Sequence, residues 1–510
     1  MSPSLSPSVA ASPHAFDLVV IGGGVNGTGI ARDAAGRGLS VLLCEQHDLA
    51  AHTSSASTKL IHGGLRYLED YHFALVRKAL LEREVLLASA PHIMWPLRFV
   101  LPHEAHLRPA WMIRAGLFLY DHLAPRRRLP GSQAIDLRSH PAGRPLASRY
   151  RRGFVYSDGW VDDARLVVLN ALDASERGAR ILTRTQCTGL ERRGSSWRVE
   201  LTRPDGRVSE VEARALVNAT GPWVDRFLQA ETPVRSAHQV RLVKGSHIVV
   251  AKLFEHEYAY IFQASDRRIV FAIPYEREFT LIGTTDLEYR GDPAQVHIVA
   301  REIDYLCSLA SHYFSQTVRP SDVCATYSGV RPLLQDESVD AAHVTRDYAL
   351  ELDRGAAPLL TVFGGKITTY RKLAEDAVDR LATLLGNRAA RWTHTATLPG
   401  GDLPNGDFAV FLDEVRRRYA PLPGALLERC ARAYGTRIDR VLGAAPSPAG
   451  LGAEVLPGLF EREINYLVRT EWAVTAEDIL WRRSKLGLHL PASAAEQLTA
   501  WLARSVAAAS

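Results

Sequence analysis

The sequence predicts an α/β chain followed by an α domain: a discontinuous Rossmann-like nucleotide-binding domain, an antiparallel-sheet domain inserted into it, and a C-terminal all-α domain. Three observations predict it. Phe16 to Ile21 is an apolar run followed at once by Gly22-Gly23-Gly24-Val25-Asn26-Gly27, which places glycines at the first, third and sixth positions of G-x-G-x-x-G. From Gly245 to Asp286 short β-prone runs succeed one another with no helix between them. Beyond the Pro/Gly-rich stretch Leu398 to Asp407 the apolar spacing is helical to the end of the chain.

The N-terminal elements come in the order that dinucleotide binding requires. The first glycine permits a tight turn, the second lets backbone approach a pyrophosphate, and the third lets helix and strand pack closely. Thr28 to Arg37 carries helix-compatible residues, and the helix start offers free N–H groups and partial positive charge to phosphates. Leu39 to Cys44 is a second apolar run, and Glu45 closes it where a carboxylate can accept from an adenosine ribose.

Composition bounds the rest. The chain has 510 residues, 46% hydrophobic and 23% charged, as in an ordinary globular protein with two or three domains. A net charge of +5 over that length gives no argument for nucleic acid. Five scattered cysteines with no C-x-x-C pair suit a reducing compartment and supply neither a disulfide framework nor a metal site. Residues 1–15 are Ser/Pro/Ala-rich and read as a disordered tail, not a signal peptide. No run is apolar for the roughly 18 residues that a membrane-spanning helix needs.

Thr53-Ser54-Ser55-Ala56-Ser57-Thr58-Lys59, with His62-Gly63-Gly64-Leu65-Arg66-Tyr67 after it, is a loop of small hydroxyl and glycine residues. It suits a flavin lying across the domain better than a nicotinamide. Tyr71 to Ala88 reads as an amphipathic helix with Leu75, Ala79, Leu80, Val85, Leu86 and Leu87 near one face and Lys78, Glu82 and Glu84 off it. Asp162 or Asp163 is placed to cap a helix from Ala164 to Arg177. Trp197 to Leu201 and Val208 to Ala213 flank Pro204-Asp205-Gly206, a hairpin signal. The strand Ala215 to Asn218 ends in Ala219-Thr220-Gly221-Pro222-Trp223, a second place for close backbone approach. Pro358 to Phe363 is another buried strand, closed by Gly364-Gly365-Lys366-Ile367-Thr368-Thr369 at a helix start. The domains then read as 16–90, 151–240 and 326–390 for the nucleotide-binding part, 91–150 and 241–325 for the inserted sheet, 391–407 as a linker and 408–510 as the helical domain.

Ile21 to Gly29, Thr53 to Leu68, Arg108 to His122, Val217 to Trp223, Lys244 to Val250, Thr326 to Leu333 and Phe363 to Glu375 together resemble the respiratory, FAD-dependent glycerol-3-phosphate dehydrogenase family. The resemblance runs from about Phe16 to the C-terminus, more loosely in the helical part. It implies FAD as cofactor, oxidation of sn-glycerol 3-phosphate to dihydroxyacetone phosphate, and a membrane quinone as electron acceptor. The quinone requirement leads to the expectation of a cytoplasmic protein peripheral to the inner face of the cell membrane, with a homodimer left open. Trp111-Met112-Ile113-Arg114 and Ile479-Leu480-Trp481-Arg482-Arg483 are the interfacial candidates.

For FAD the candidate residues are Gly22, Gly24, Asn26, Gly27, Glu45, Thr53, Ser54, Ser55, Lys59, His62, Gly63, Gly64, Ala219, Thr220, Gly221, Gly364, Gly365, Lys366 and Thr368. A phosphorylated substrate calls for a guanidinium fork. Arg331, in the stiff Gly329-Val330-Arg331-Pro332 turn, is the first choice, with Arg66, Tyr67, Arg346 and Lys366 as further candidates. Alcohol oxidation also needs a base. His247, with an ordinary pKa of about 6.5, is the candidate, and His62 competes. Lys366 can polarise the substrate oxygen or face the reduced flavin. The competing reading is a flavin-dependent amine or amino-acid oxidase that uses oxygen, with Arg331 holding a carboxylate.

Overall fold

The computed structural model describes residues 15–104, 107–232, 234–264, 268–334, 347–443 and 447–509. The expected tail lies outside these residues except for Ala15, which begins the first strand. Among the described residues two large sheets and a helical domain carry the architecture.

The first sheet is ordered Ala349–Asp353, Leu359–Phe363, Val208–Asn218, Ala15–Ile21, Val41–Cys44, Arg180–Leu182. Its centre is parallel: Leu18 lies opposite Val41 on one side and Ala215 on the other. Such strands are covered on both faces and so read as unbroken apolar runs. Leu18, Val19 and Val20 are fully buried. The hairpin strand Ser196–Thr202 pairs antiparallel to Val208–Asn218, which continues without a break into the central strand that the sequence set apart at Ala215.

The helix Val25–Gly36 packs on this sheet between Asp163–Glu176 and Tyr370–Ala382. It is built of small residues because those neighbours come very close. A methyl group on Gly29 would meet the Tyr370 ring, and one on Gly36 would overlap the Trp392 indole. Asp162 caps the second helix, accepting from Arg165 N at 3.2 Å. The helix expected from Tyr71 spans Phe73–Ser89. Glu82 is not on its solvated side, as expected, but buried, because Arg371 donates to it at 2.8 and 2.6 Å.

The second sheet is ordered Leu287–Glu288, Val240–Ala251, Phe279–Gly283, Ile269–Tyr275, Ala259–Gln263, Met94–Pro102, Arg152–Val161, Leu60–Ile61, and Val323–Leu334 pairs along Val240–Ala251. It is antiparallel except where Ala259 meets Phe99. It reaches past the positions where composition changes. Arg152–Val161 and residues 326–334 are hydrogen-bonded into it, against Met94–Pro102 and Val240–Ala251.

Helices Phe408–Arg418, Gly424–Tyr434, Glu461–Thr470 and Ser493–Ala509 enclose a core of their own, together with a short ribbon, Glu454–Leu456 with Leu459–Phe460, that the all-α reading lacked. The stretch before them is tied down: Leu398 is buried and its N–H donates to Ser89 O at 2.9 Å. Ile479, Leu480, Arg482 and Arg483 are buried among ion pairs, so this segment is not the lipid-facing one that its composition suggested.

Candidate active site

A cavity of about 660 Å³ opens where the parallel strands end, between the two sheets. This is where open α/β sheets bind ligands, and the size suits an organic cofactor with a small substrate. The first sheet contributes the glycine turn, Glu45, Ala219 to Gly221 and Gly364 to Lys366, and the second contributes Gly245, His247, Phe271, Thr284, Gly329 and Arg331.

The turn has no room for side chains of its own at its glycines. Gly22 has φ +114°, and a side chain there would press on the Ala219 carbonyl. Gly27 lies behind the cavity, where a methyl group would overlap the Gly22 carbonyl oxygen. Gly24, the N-cap of Val25–Gly36, offers no side-chain cap, so the helix start faces the cavity with its partial positive charge. Glu45 accepts from Gly23 N at 2.6 Å and His47 N at 2.8 Å, and burial raises its carboxyl pKa. Asn26 donates from Nδ2 to Gly364 O at 3.2 Å, which ties the two glycine turns together. Its buried Oδ1 has no partner among the described residues.

Gly22, Gly24, Asn26, Glu45, Thr53, Ser54, His62, Ala219, Thr220, Gly221, Gly364, Gly365 and Lys366 all line this space. Other candidates do not. Lys59 is buried behind it, its Nζ 2.7 Å from Asp163, and with Ser55 it faces a separate cavity of about 380 Å³. Gly63 N is already engaged with Tyr120 Oη at 2.9 Å and Asp158 Oδ1 at 3.2 Å, and neither Gly63 nor Gly64 reaches the cavity. Thr368 is buried and accepts from His62 N at 3.1 Å, which orients His62 from behind. Arg66 is half-buried and outside the lining, and Arg346 lies outside the described residues. Trp223, Arg226, His52, Phe271 and Thr284 line the cavity without having been singled out as site residues. Only Trp223 had a local signal, the turn that it ends.

His247, Arg331, Tyr67 and Lys366 come together around the same space. Lys366 Nζ stands 3.8 Å from the centre of the Tyr67 ring. Arg331 donates to Thr285 O at 3.1 Å and pairs with Asp286. His247 is stacked on Tyr327 with ring centres 4.7 Å apart, its Nε2 is 3.0 Å from Thr58 Oγ1, and its Nδ1 has no partner among the described residues. Its pKa does not stay at the ordinary value: burial, then the Lys59 and Arg331 charges, hold it well below 6.5. The imidazole is therefore neutral near pH 7, and the same shift makes it a weaker proton acceptor than an ordinary histidine. Across the paired strands His247 faces Tyr327, Val243 faces Arg331, and between them lies Gly245 opposite Gly329. Neither glycine has room for a side chain: the Arg331 guanidinium and Thr284 lie over Gly245, and Ala56 lies over Gly329.

The glycine turn, the helix start whose Val25 N–H donates to Ser54 Oγ at 3.0 Å, the carboxylate after the second strand and the unpartnered Asn26 oxygen fit the pyrophosphate, ribose and polar edges of FAD. Residues 17–371 match the FAD dependent oxidoreductase family, and residues 391–507 match the C-terminal domain of alpha-glycerophosphate oxidase. The chain is 55% identical over 504 residues to glycerol-3-phosphate dehydrogenase of Pseudomonas aeruginosa, covering 98% of each chain. It is 50% identical over 493 residues to D-erythritol 1-phosphate dehydrogenase of Brucella abortus, covering 96% of this chain and 98% of that one. Among solved structures it is similar to glycerol-3-phosphate dehydrogenase from Bacillus halodurans complexed with FAD, with a TM-score of 0.78, 29% identity and coverage of 96% of this chain and 90% of that one. The chain belongs to the FAD-dependent oxidoreductases, within them to the family of the FAD-dependent glycerol-3-phosphate dehydrogenases, and FAD is its cofactor.

Proposed function

We propose that this enzyme oxidises sn-glycerol 3-phosphate to dihydroxyacetone phosphate and delivers the electrons to a membrane quinone. The observation that carries the reading is one cavity that holds the glycine turns, a neutral histidine and an arginine beside a lysine. FAD, when bound, supplies the hydride acceptor. Arg331 grips the phosphate, since a guanidinium matches phosphate oxygens two at a time and stays charged. His247 takes the hydroxyl proton as the substrate carbon becomes a carbonyl. Lys366 places positive charge beside the reacting oxygen. The oxidase alternative is not favoured, because the C-terminal match and the 50–55% identical relatives named above point to phosphorylated polyols.

The test is anaerobic mixing of the holoenzyme with glycerol 3-phosphate, with loss of flavin absorbance followed in time. Arg331→Lys keeps the charge and loses the fork. The apparent affinity should weaken about 10- to 100-fold, the worth of one charge-assisted hydrogen bond. Bleaching by an amino acid and not by glycerol 3-phosphate would reject the reading. D-erythritol 1-phosphate, run beside it, separates the two phosphorylated polyols.

For the quinone route we place lipid contact on the helix Ala110–His122. Among the described residues no helix is long and apolar enough to cross a membrane. This helix leaves Trp111 70% and Phe118 58% exposed, and Tyr71, on a neighbouring loop joined through the Glu69–Arg108 pair, is 79% exposed. Aromatic rings with arginines alongside suit the inner, anionic leaflet. Trp111→Ser with Phe118→Ser should reduce flotation with anionic vesicles while flavin reduction is kept. Unchanged flotation would remove this surface from the proposal.

A further inference from the structure

Asp48 lies three residues beyond Glu45, in the loop between the strand Val41–Cys44 and the turn Thr53–Ser55. Its carboxylate is buried, and its partners come from the far end of the chain. Arg482 Nε donates to Oδ2 at 2.7 Å, and Arg483 donates from Nη1 to Oδ2 at 2.7 Å and from Nη2 to Oδ1 at 2.8 Å. Arg483 is 1% exposed and also donates to Glu471 O at 2.7 Å. Arg184 makes a second link: its N–H donates to His47 O at 2.8 Å and its Nη2 to Asp478 Oδ2 at 2.7 Å.

The loop so held is a wall of the cofactor cavity, which Glu45, Gln46, His47, Ala50, Ala51 and His52 line. Its inner side meets the glycine turn: Gly23 donates to Glu45, and Ala50 N donates to Gly23 O at 3.2 Å. Ala50 has φ +60°, a left-handed conformation that alanine keeps only where its surroundings hold it. The helical domain places no residue in the lining of this cavity among the described residues, yet it fixes the outer side of the wall.

We infer that Arg483, acting through Asp48, is a positioning residue for FAD: the C-terminal domain sets the shape of the Glu45–His52 wall, and cofactor retention depends on that contact. A bidentate fork between two buried partners fixes both distance and plane, so the carboxylate cannot shift without leaving a buried charge unpaired. The inference concerns how the cofactor is held and stands whichever polyol phosphate is oxidised.

The test uses holoenzyme purified with FAD bound, diluted while released flavin is followed by its fluorescence, with Kd taken from the equilibrium series. Arg483→Met, Asp48→Asn and the pair are compared with wild type. Arg429→Met is the control, because Arg429 forks onto Glu463 at 2.6 and 2.7 Å wholly within the helical domain. Each Asp48 or Arg483 variant should weaken FAD binding at least about fivefold, the low end of coupling between linked sites, and the pair should lose less than the product of the two. Arg429→Met should lower Tm and keep FAD affinity. If Arg483→Met yields no folded protein, Arg483→Lys, which keeps charge without the fork, is judged by the same fivefold criterion. A change below fivefold, or an equal loss in Arg429→Met, overturns the inference.

Discussion

His247 sits in a strand between Ser246 and Ile248, and its surroundings decide its chemistry. Burial and two nearby cations keep it neutral far below pH 6.5. A base held in that form stays competent on the acid side, so flavin reduction should not lose its base as pH falls through 6.5. His247→Asn should slow anaerobic reduction about 10²- to 10⁴-fold, the usual range for a positioned base. A loss under tenfold would move the role to another group. The residue type was legible in the sequence, since few side chains accept protons near neutrality. Its direction of shift was not, because burial is set by the tertiary packing and Lys59 and Arg331 arrive from a loop and another strand. Lys59 shows the reverse case. Its place in a hydroxyl-rich loop suggested a ligand, but Asp163, 104 positions away, claims its ammonium in the interior.

At the scale of elements, the glycine turn and its helix were readable because their spacing is dictated by local geometry. Gly27 makes this testable. Gly27→Ala would force a methyl group onto the Gly22 carbonyl, so the helix start must move away from the pyrophosphate position. The expected outcome is protein purified without yellow colour or with FAD lost on gel filtration. Stoichiometric flavin in this variant would show that the turn can yield. The strand Val323–Leu334 is the opposite case. Gly329 to Pro332 reads as a turn in the sequence, but it is the inside of this strand, and only its register against Val240–Ala251 brings Gly245 opposite Gly329, where the Arg331 guanidinium and Ala56 lie over the two glycines. The segment Ile479–Arg483 misled for the same reason. Aromatic and basic residues on a short helix look interfacial until their partners, Asp48 and Asp478, are in place.

For the whole molecule, the helical domain is fastened by buried charge, and His92 lies at that junction. It is fully buried against Gly435, neither ring nitrogen has a partner among the described residues, and burial with Arg165, Arg432 and Arg437 lowers its pKa to about 3. In the unfolded chain the group titrates at about 6.5, so the unfolded state binds more protons in between. Its contribution is therefore complete above about pH 6.5 and is lost as pH falls towards 3, by roughly 5 kcal/mol. His92→Phe should flatten the fall of Tm over that range, and an unchanged acid limb would show that other groups govern it. The sequence by itself determined the parallel nucleotide-binding core, the inserted antiparallel sheet and the helical domain. Those follow from periodicity, turn chemistry and glycine geometry, which act over a few residues. The tertiary structure alone decided which charged groups face the cavity and which are consumed as buried pairs. The partners of Lys59, Asp48 and Glu82 lie 104 to 435 positions away along the chain. Local sequence carries no record of contacts made at that distance.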